Sequence, residues 1–322
     1  MALIDLFSSE VNSSVAGKKG ENLRLLENNG ILVPKGFVVS PDEFHSYSQQ
    51  CRGEIQSQLR NGDTANAYQN ILKIIQDGKD ANCLEERLGG MIDQETKGKY
   101  FVARSSGSGS YHGKIIEEDS EQTALAGQFD SYLMIPEDRL FDGIKLCWAS
   151  LFNPRSQKVF DAKNNPTYID SSMSVVVQEM ILADKSFVMM TEDPLEDEST
   201  LGIESTYGPC ETLVSGKDTG DLFLYRRQTK TVERELSNKL YRAVYAPFTS
   251  AGENCKYEEL PARLSSMSSL TDKEIGNIVE KGLEIEKIFG RPQDVEGVIA
   301  DAQIYITQTR NITTQKVKGG IN

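Results

Sequence analysis

Histidine and cysteine are scarce in this sequence, and each scarcity argues against a class of chemistry. The 322 residues include 2 histidines, His45 and His112. Neither histidine has the spaced partners that a zinc site or a Ser/His/Asp triad requires, so serine-type hydrolysis is not expected. The 5 cysteines (Cys51, Cys83, Cys147, Cys210 and Cys255) are odd in number, widely spaced and free of any CxxC pair. That pattern fits neither a disulfide framework nor a metal site and predicts reduced thiols. No apolar run approaches the roughly 18 residues of a membrane span. Asp5 interrupts the stretch that a signal peptide would keep apolar, so the cytoplasm is the expected location. Positive charge is short as well: 35 Lys and Arg against 48 Asp and Glu leave a net charge of −13. Broad attraction to nucleic acid or to a membrane surface is therefore not expected, and a polyanionic ligand has to be met by a few well-placed cations.

What is present is the pattern of an ordinary globular chain, 38% hydrophobic with mixed charges and no repeat. Residues 19–29 read as a helix with Leu23 and Leu26 on one face and Leu25 a further candidate for it, ended by Gly30. Residues 36–39 read as extended, and Ser40, Pro41 and Glu43 have the spacing of a capping box that opens a further helix. Two short helices are expected between 65 and 91, and a strand over 100–104 that feeds a small-residue loop over 105–113. The segment 137–162 reads as a long amphipathic helix with a break near Asn153 and Pro154. The run SVVVQEMIL (174–182) reads as a buried strand. Shorter strands are expected over 186–191, 201–205 and 222–225. Thr271 and Glu274 open a helix that Gly290 closes, and two strands flank Asp301.

Three constellations carry possible chemistry. Asp294, Glu296, Gln308 and Arg310 occupy alternating positions of QDVEGVIAD and IYITQTR, and alternation in a strand means one face. A three-residue loop at Asp301, Ala302 and Gln303 sets Glu296 opposite Gln308 and Asp294 opposite Arg310, whereas a two-residue turn would put the two sets on opposite faces. The first register gathers oxygen donors suited to a hard cation such as Mg²⁺. The alternative for the same residues is a solvated sheet face with ordinary ion pairs. In AGKKGENL, Gly17 and Gly20 bracket Lys18 and Lys19 before a helix, a setting that favours anions or is simply two solvated lysines. In VARSSGSGSYHG, a strand delivers Arg104 into small residues that can cradle phosphate or form a plain surface loop. His112 stands beside that loop.

Taken in order, AGKKGENL, ILVPKGFVVSPDEF, FVARSSGSGS, ALAGQFDSYL, SVVVQEMI, ESTYGPCETLVSG, PQDVEGVI and IYITQTR resemble the nucleotide-binding domain shared by phosphoenolpyruvate synthase, pyruvate phosphate dikinase and rifampin phosphotransferase. The similarity covers nearly the whole chain. It implies an α+β fold of the ATP-grasp type, two lobes with mixed or antiparallel sheets enclosing a nucleotide cleft, here 1–180 and 181–322. By the same resemblance ATP and Mg²⁺ are the cofactors, and Lys19 and Arg104 bind phosphate. Glu296 and Gln308 hold the metal with support from Asp294, and Arg310 stabilises the transferred phosphoryl. Gln178, Glu179, Met180 and Ile181 correspond to the strand that reads adenine, and Glu211 to a ribose contact. The chain departs from the family's GLGE at Gly208, Pro209, Cys210 and Glu211. It also ends without the family's phosphohistidine and substrate domains. The expected function is dikinase-type transfer from ATP, giving AMP and phosphate, to a histidine domain in another chain or missing segment, or directly to a small acceptor. A ligase that forms an acyl-phosphate with ADP release, and a non-catalytic nucleotide-binding partner subunit, are the other readings.

Overall fold

The computed structural model describes residues 3–61, 63–80, 82–111, 114–117, 129–162, 164–165, 168–193, 199–249 and 255–312. The chain divides into two compact units. The first comprises Met1–Arg24, Pro34–Met180 and Tyr245–Asn254; the second comprises Leu25–Val33, Ile181–Val244 and Cys255–Asn322.

In the first unit the elements are β1 (Leu3–Asp5), α1 (Ser13–Asn28, whose last turn is counted with the second unit), β2 (Gly36–Val39), α2 (Pro41–Gln49), α3 (Arg52–Asn61), α4 (Thr64–Asp77), α5 (Leu84–Gly89), β3 (Tyr100–Tyr111), β4 (Lys114–Glu117), β5 (Ser131–Pro136), α6 (Leu140–Ser150), α7 (Pro154–Val159) and β6 (Ser172–Glu179). The sheet runs β1-β2-β6-β3-β4 with β5 also on β3, and its pairs are antiparallel. Central β6 is buried on both faces, which is why it reads as an unbroken valine run rather than as an alternation. Phe37, Val39, Phe101, Ala103, Val175 and Val177 point into the main core, with Trp148 of α6. Residues at the intervening positions, Val38 and Val176, meet α1, where a Cβ on Gly20 would lie 3.8 and 3.2 Å from their methyls.

Three expectations are corrected here. The segment 137–162 does break at Asn153 and Pro154 as expected, but what precedes the break is not a long amphipathic helix. It begins as a 3₁₀ turn at Glu137–Arg139, continues as α6, buried on nearly every side, and restarts as α7. The restart is chemical: Asn153 Oδ1 accepts from the Ser156 N–H at 2.9 Å, and Pro154 occupies the first turn. The Ser40–Glu43 spacing makes no capping box, because Arg87 takes the Glu43 carboxylate in a two-pronged pair at 2.9 and 2.8 Å. The small residues after Arg104 are not a loop either. They continue β3, with Ser105 to Ser108 in register with Val175 to Ser172. Small side chains suit that strand because a Cβ on Gly107 would come within 2.9 Å of both Met173 and Phe129. His112 and the first half of ALAGQFDSYL (124–128) lie outside the described residues.

In the second unit the elements are β7 (Lys185–Met190), β8 (Thr200–Tyr207), α8 (Glu211–Val214), β9 (Asp221–Arg226), β10 (Thr231–Glu235), β11 (Tyr241–Tyr245, its last residue counted with the first unit), β12 (Cys255–Glu259), α9 (Ala262–Ser265), α10 (Asp272–Phe289), β13 (Gln293–Ala300) and β14 (Gln303–Asn311). The antiparallel sheet runs β10-β9-β8-β7-β13-β14, and β11 pairs with β12 separately. The two halves of the capping box at Thr271 and Glu274 are both formed, and Gly290 closes α10 at φ 65°. One sheet face, with Met189, Leu201, Ile203, Phe223 and Val295, is buried. α10 packs on it closely enough that a Cβ on Gly282 would fall 2.6 Å from Met189 Sδ. The fold is thus α+β with antiparallel sheets, as the sequence leads one to expect.

Candidate functional site

On the first unit's sheet, the face that receives α1 carries Arg104, Ser106, Ser174, Val176 and Gln178, since these alternate with the core-facing set. Gly17 breaks α1 with φ 62° and ψ 179°, and a Cβ there would sit 2.0 Å from Ser106 Oγ. Glycine is the residue that allows this approach. The approach brings Lys19 onto the sheet. It is only 8% exposed, and its ammonium donates to the Ser105 carbonyl at 2.9 Å. Lys18, by contrast, pairs with Glu21 at 2.6 Å on the surface. Arg104 is partly buried, and its Nε is shielded from solvent with no hydrogen-bond partner among the described residues.

At the end of β6 the candidate base-reading segment is partly committed. The Glu179 N–H donates to the Lys35 carbonyl at 2.8 Å, and the Met180 N–H to the Tyr100 carbonyl at 2.8 Å. The Glu179 carboxylate pairs with Lys99. Gln178 is 1% exposed, with Nε2 donating to the Pro34 carbonyl at 3.1 Å. Any backbone recognition at Glu179 and Met180 therefore falls to their carbonyls. Ile181 opens the next segment of chain, in the second unit.

The second unit assembles the other set. Glu296 faces Gln308 and Asp294 faces Arg310 across β13 and β14. The route differs from the expected one. The turn has two residues, Asp301 and Ala302, both at positive φ (49° and 60°), with Ala300 paired to Gln303. A regular ladder from that turn would place Gln308 opposite Val295, on the buried face. A bulge between Glu296 and Gly297, with Thr307 as the extra residue, restores the pairing. Arg310 is held by Asp294, with Nε and a terminal nitrogen 2.8 and 2.7 Å from Oδ2. No hydrogen bond or ion pair within the chain occupies the side chains of Glu296 and Gln308 among the described residues.

The same face extends across the sheet. Glu296 pairs with Val188, Val188 with Glu204 and Glu204 with Leu222. Val188, Met190, Gly202, Glu204, Leu222 and Leu236 are among the residues lining a concavity of about 530 Å³ there. Glu204 escaped the sequence reading, because cross-strand neighbours are a property of register and not of local pattern. Its carboxylate accepts from the Gly220 N–H at 3.1 Å.

Glu211 lies at the start of α8, after Gly208, whose φ of 77° and 2.7 Å clearance to the Ala243 carbonyl require glycine. Burial, with the Glu211 charge and a hydrogen bond to the Glu211 carboxylate, pushes the Cys255 thiol up to about 12.

Among the described residues no group of three or more His, Cys, Asp or Glu side chains is placed to hold a metal ion. A cation at Glu296 and Gln308 would thus have one carboxylate and one amide oxygen from the protein. That donor set suits Mg²⁺, which keeps several waters and takes phosphate oxygens for the rest. No described helix is long and apolar enough to cross a membrane.

Residues 13–320 match the family described as pyruvate phosphate dikinase, AMP/ATP-binding domain. The chain is 33% identical over 313 residues to a probable phosphoenolpyruvate synthase of Archaeoglobus fulgidus, covering 93% of this chain and 40% of that protein. It is 29% identical to the uncharacterized phosphotransferase YvkC of Bacillus subtilis, covering 95% of this chain and 34% of the relative. To a rifampicin phosphotransferase of Bacillus cereus it is 28% identical, covering 93% and 34%. The chain thus spans less than half the length of these relatives, and the match over nearly all its own residues places it in the pyruvate phosphate dikinase AMP/ATP-binding domain family.

Proposed function

We propose that this chain is the ATP-using module of a phosphotransferase, and that it binds ATP with Mg²⁺. Lys19 and Arg104 of the first unit meet phosphate oxygens, and Glu296 and Gln308 of the second hold the metal. Arg310, fixed by Asp294, stabilises charge on the phosphoryl group as it moves. The observation that carries this reading is the bulge that sets Glu296 beside Gln308 and Asp294 beside Arg310 on one half-buried face. A solvated sheet face would have no use for a device that turns two polar side chains away from the core against the ladder's own register.

Phosphoryl transfer asks for positioning and charge neutralisation more than for covalent chemistry from the protein, and this residue inventory supplies both. When bound, Mg²⁺ neutralises phosphate oxygens. The base is read at the end of β6 by the Glu179 and Met180 carbonyls and by Ile181, and Glu211 contacts the ribose. The chemistry proposed is of the dikinase type: an acceptor histidine on a phosphohistidine domain attacks the β-phosphorus and AMP leaves, and water then hydrolyses the bond to the terminal phosphoryl, which departs as phosphate and leaves the β-phosphoryl on the histidine. The names of the relatives, phosphoenolpyruvate synthase and rifampicin phosphotransferase, support phosphoryl transfer as the class of reaction.

Calorimetric titration with ATP in the presence and absence of Mg²⁺ tests the binding, with metal-dependent micromolar affinity expected. Absence of metal-dependent binding would overturn the proposal. Phosphorus NMR of the turnover products separates AMP with phosphate from ADP, and ADP would point to direct transfer of the terminal phosphoryl instead.

A further inference from the structure

Among the buried side-chain atoms of the first unit that lack hydrogen-bond partners among the described residues, two are neighbours on the sheet and complementary in kind. Arg104 Nε is a donor and Gln178 Oε1 is an acceptor. Arg104 pairs with Val176, and Val102 with Gln178, so Arg104 and Gln178 are diagonal neighbours on adjacent antiparallel strands. They share a face, because the residues between them, Ala103 and Val177, belong to the core on the other side. Diagonal positions of this kind are about 7–8 Å apart, within reach of a long side chain or of one bridging water. Buried polar groups in folded proteins find partners, and a donor and an acceptor orphaned side by side satisfy each other most economically.

We infer that Gln178 is a positioning residue for Arg104, its Oε1 accepting from Arg104 Nε through one bound water. Gln178 is suited to this because its own amide is fixed: Nε2 donates to the Pro34 carbonyl at 3.1 Å, which orients Oε1. Held at Nε, the arginine leaves its terminal nitrogens to an anion. The contrast with Arg310 is chemical. There Nε is bound by a carboxylate, Asp294, at 2.8 Å. An amide oxygen is neutral, so Arg104 is positioned without being discharged and keeps its full attraction for phosphate. The inference rests on the proposed phosphate role of Arg104, and it gives Gln178 a task other than contact with the base.

The test is a double-mutant cycle read by calorimetry with two probes, Mg·ATP and adenosine. Gln178→Met is expected to weaken Mg·ATP about tenfold and adenosine less than twofold, and to cost nothing further in an Arg104→Ala background. Gln178→Glu, which would pair with and neutralise Arg104, is expected to weaken Mg·ATP while sparing adenosine. Equal losses for the two probes, or losses that add in the double variant, overturn the inference while leaving Arg104 on phosphate. Unaltered Mg·ATP binding by Arg104→Ala overturns the phosphate role itself. Should both Gln178 variants fail to melt cooperatively, hydrogen exchange at Arg104 Nε–H in the wild-type protein decides. Protection before ATP is added is expected, and exchange at the solvent rate overturns the inference.

Discussion

Thr307 Oγ1 donates a hydrogen bond of 3.2 Å to the backbone carbonyl of Glu296, at the bulge where β14 carries its extra residue. Beyond that point Gln308 and Arg310 face the same side as Glu296 and Asp294, while Ile306, before it, is 1% exposed. One residue of slip therefore separates a polar cross-strand set from a buried one.

The first prediction concerns Glu296. Glu296→Gln preserves shape and removes the one charge offered to a cation at this pair. Mg²⁺-dependent ATP affinity is expected to fall at least tenfold, which corresponds to about 1.4 kcal/mol. The thermal midpoint should stay within a few degrees, because the carboxylate has no partner among the described residues to lose. Unchanged affinity in the same titration would remove Glu296 from the metal site.

Arg310 and Asp294 separate holding from acting. Arg310→Ala is expected to lower turnover by about 10³-fold, the scale associated with arginines that stabilise a moving phosphoryl group. Asp294→Asn leaves the arginine in place but loosens its Nε contact, so kcat should fall by a smaller factor with little change in KM for ATP. Steady-state kinetics on both variants checks this, and a loss confined to KM would place Arg310 on ground-state phosphate instead.

Local signals were the legible ones. Thr271 and Glu274 cap α10 through bonds three residues apart, so the sequence contains everything the motif needs. The identical spacing at Ser40 and Glu43 misleads because Arg87, 44 residues on, takes the carboxylate. The pairing of Glu296 with Gln308, which the sequence makes conditional on a three-residue loop, forms across a two-residue turn instead, since the alternation of polar residues is visible in the sequence while the bulge is not. Neither Asp301 nor Ala302 is a glycine, so nothing in the sequence announced a two-residue turn with both φ positive. Register hid the rest: that β3 continues past Arg104, that Glu204 shares a row with Glu296, and that Gln178 is diagonal to Arg104.

Gly17 tests how α1 reaches the sheet. A side chain at φ 62° is strained, and a Cβ there would collide with Ser106 Oγ at 2.0 Å. Gly17→Ala should destabilise the protein by about 1–3 kcal/mol and lift Lys19 from the Ser105 carbonyl. Adding Ser106→Ala removes the worst contact but not the backbone strain, so partial recovery of the thermal midpoint is expected. Full recovery would show that φ was of no consequence.

Thiol reactivity reports on Glu211. Burial foremost, then the Glu211 charge and hydrogen bond, hold the Cys255 thiol protonated up to about 12, so at pH 8 it should resist iodoacetamide while exposed Cys83 reacts. Glu211→Gln takes away the charge and is expected to lower the Cys255 pKa and speed its alkylation, read by peptide mass spectrometry over time. If Glu211 turns to a ribose when nucleotide binds, ATP should speed alkylation of the wild-type thiol in the same direction. Rates unaffected by ATP would keep Glu211 with Cys255 and out of the nucleotide site.

Acid stability of the second unit follows from two carboxylates. Burial raises Glu274 and Glu286, but hydrogen bonds from Lys185 and Thr271 to the first, and from Arg227 and Thr191 to the second, outweigh it. Both end below the ordinary value of 4.5. A carboxylate with a depressed folded pKa binds protons more readily in the unfolded chain, so its contribution is fully present above about 4.5 and is lost as pH falls toward the folded value. Glu286→Gln removes one such group, and with it the two-pronged contact to Arg227 at 2.9 and 2.6 Å. The variant should therefore be less stable than the wild type at pH 7, with the gap narrowing as pH drops below 4.5. Urea denaturation at stepped pH measures both curves, and a gap that stays constant would mean that the Arg227 pair stabilises by packing rather than by charge.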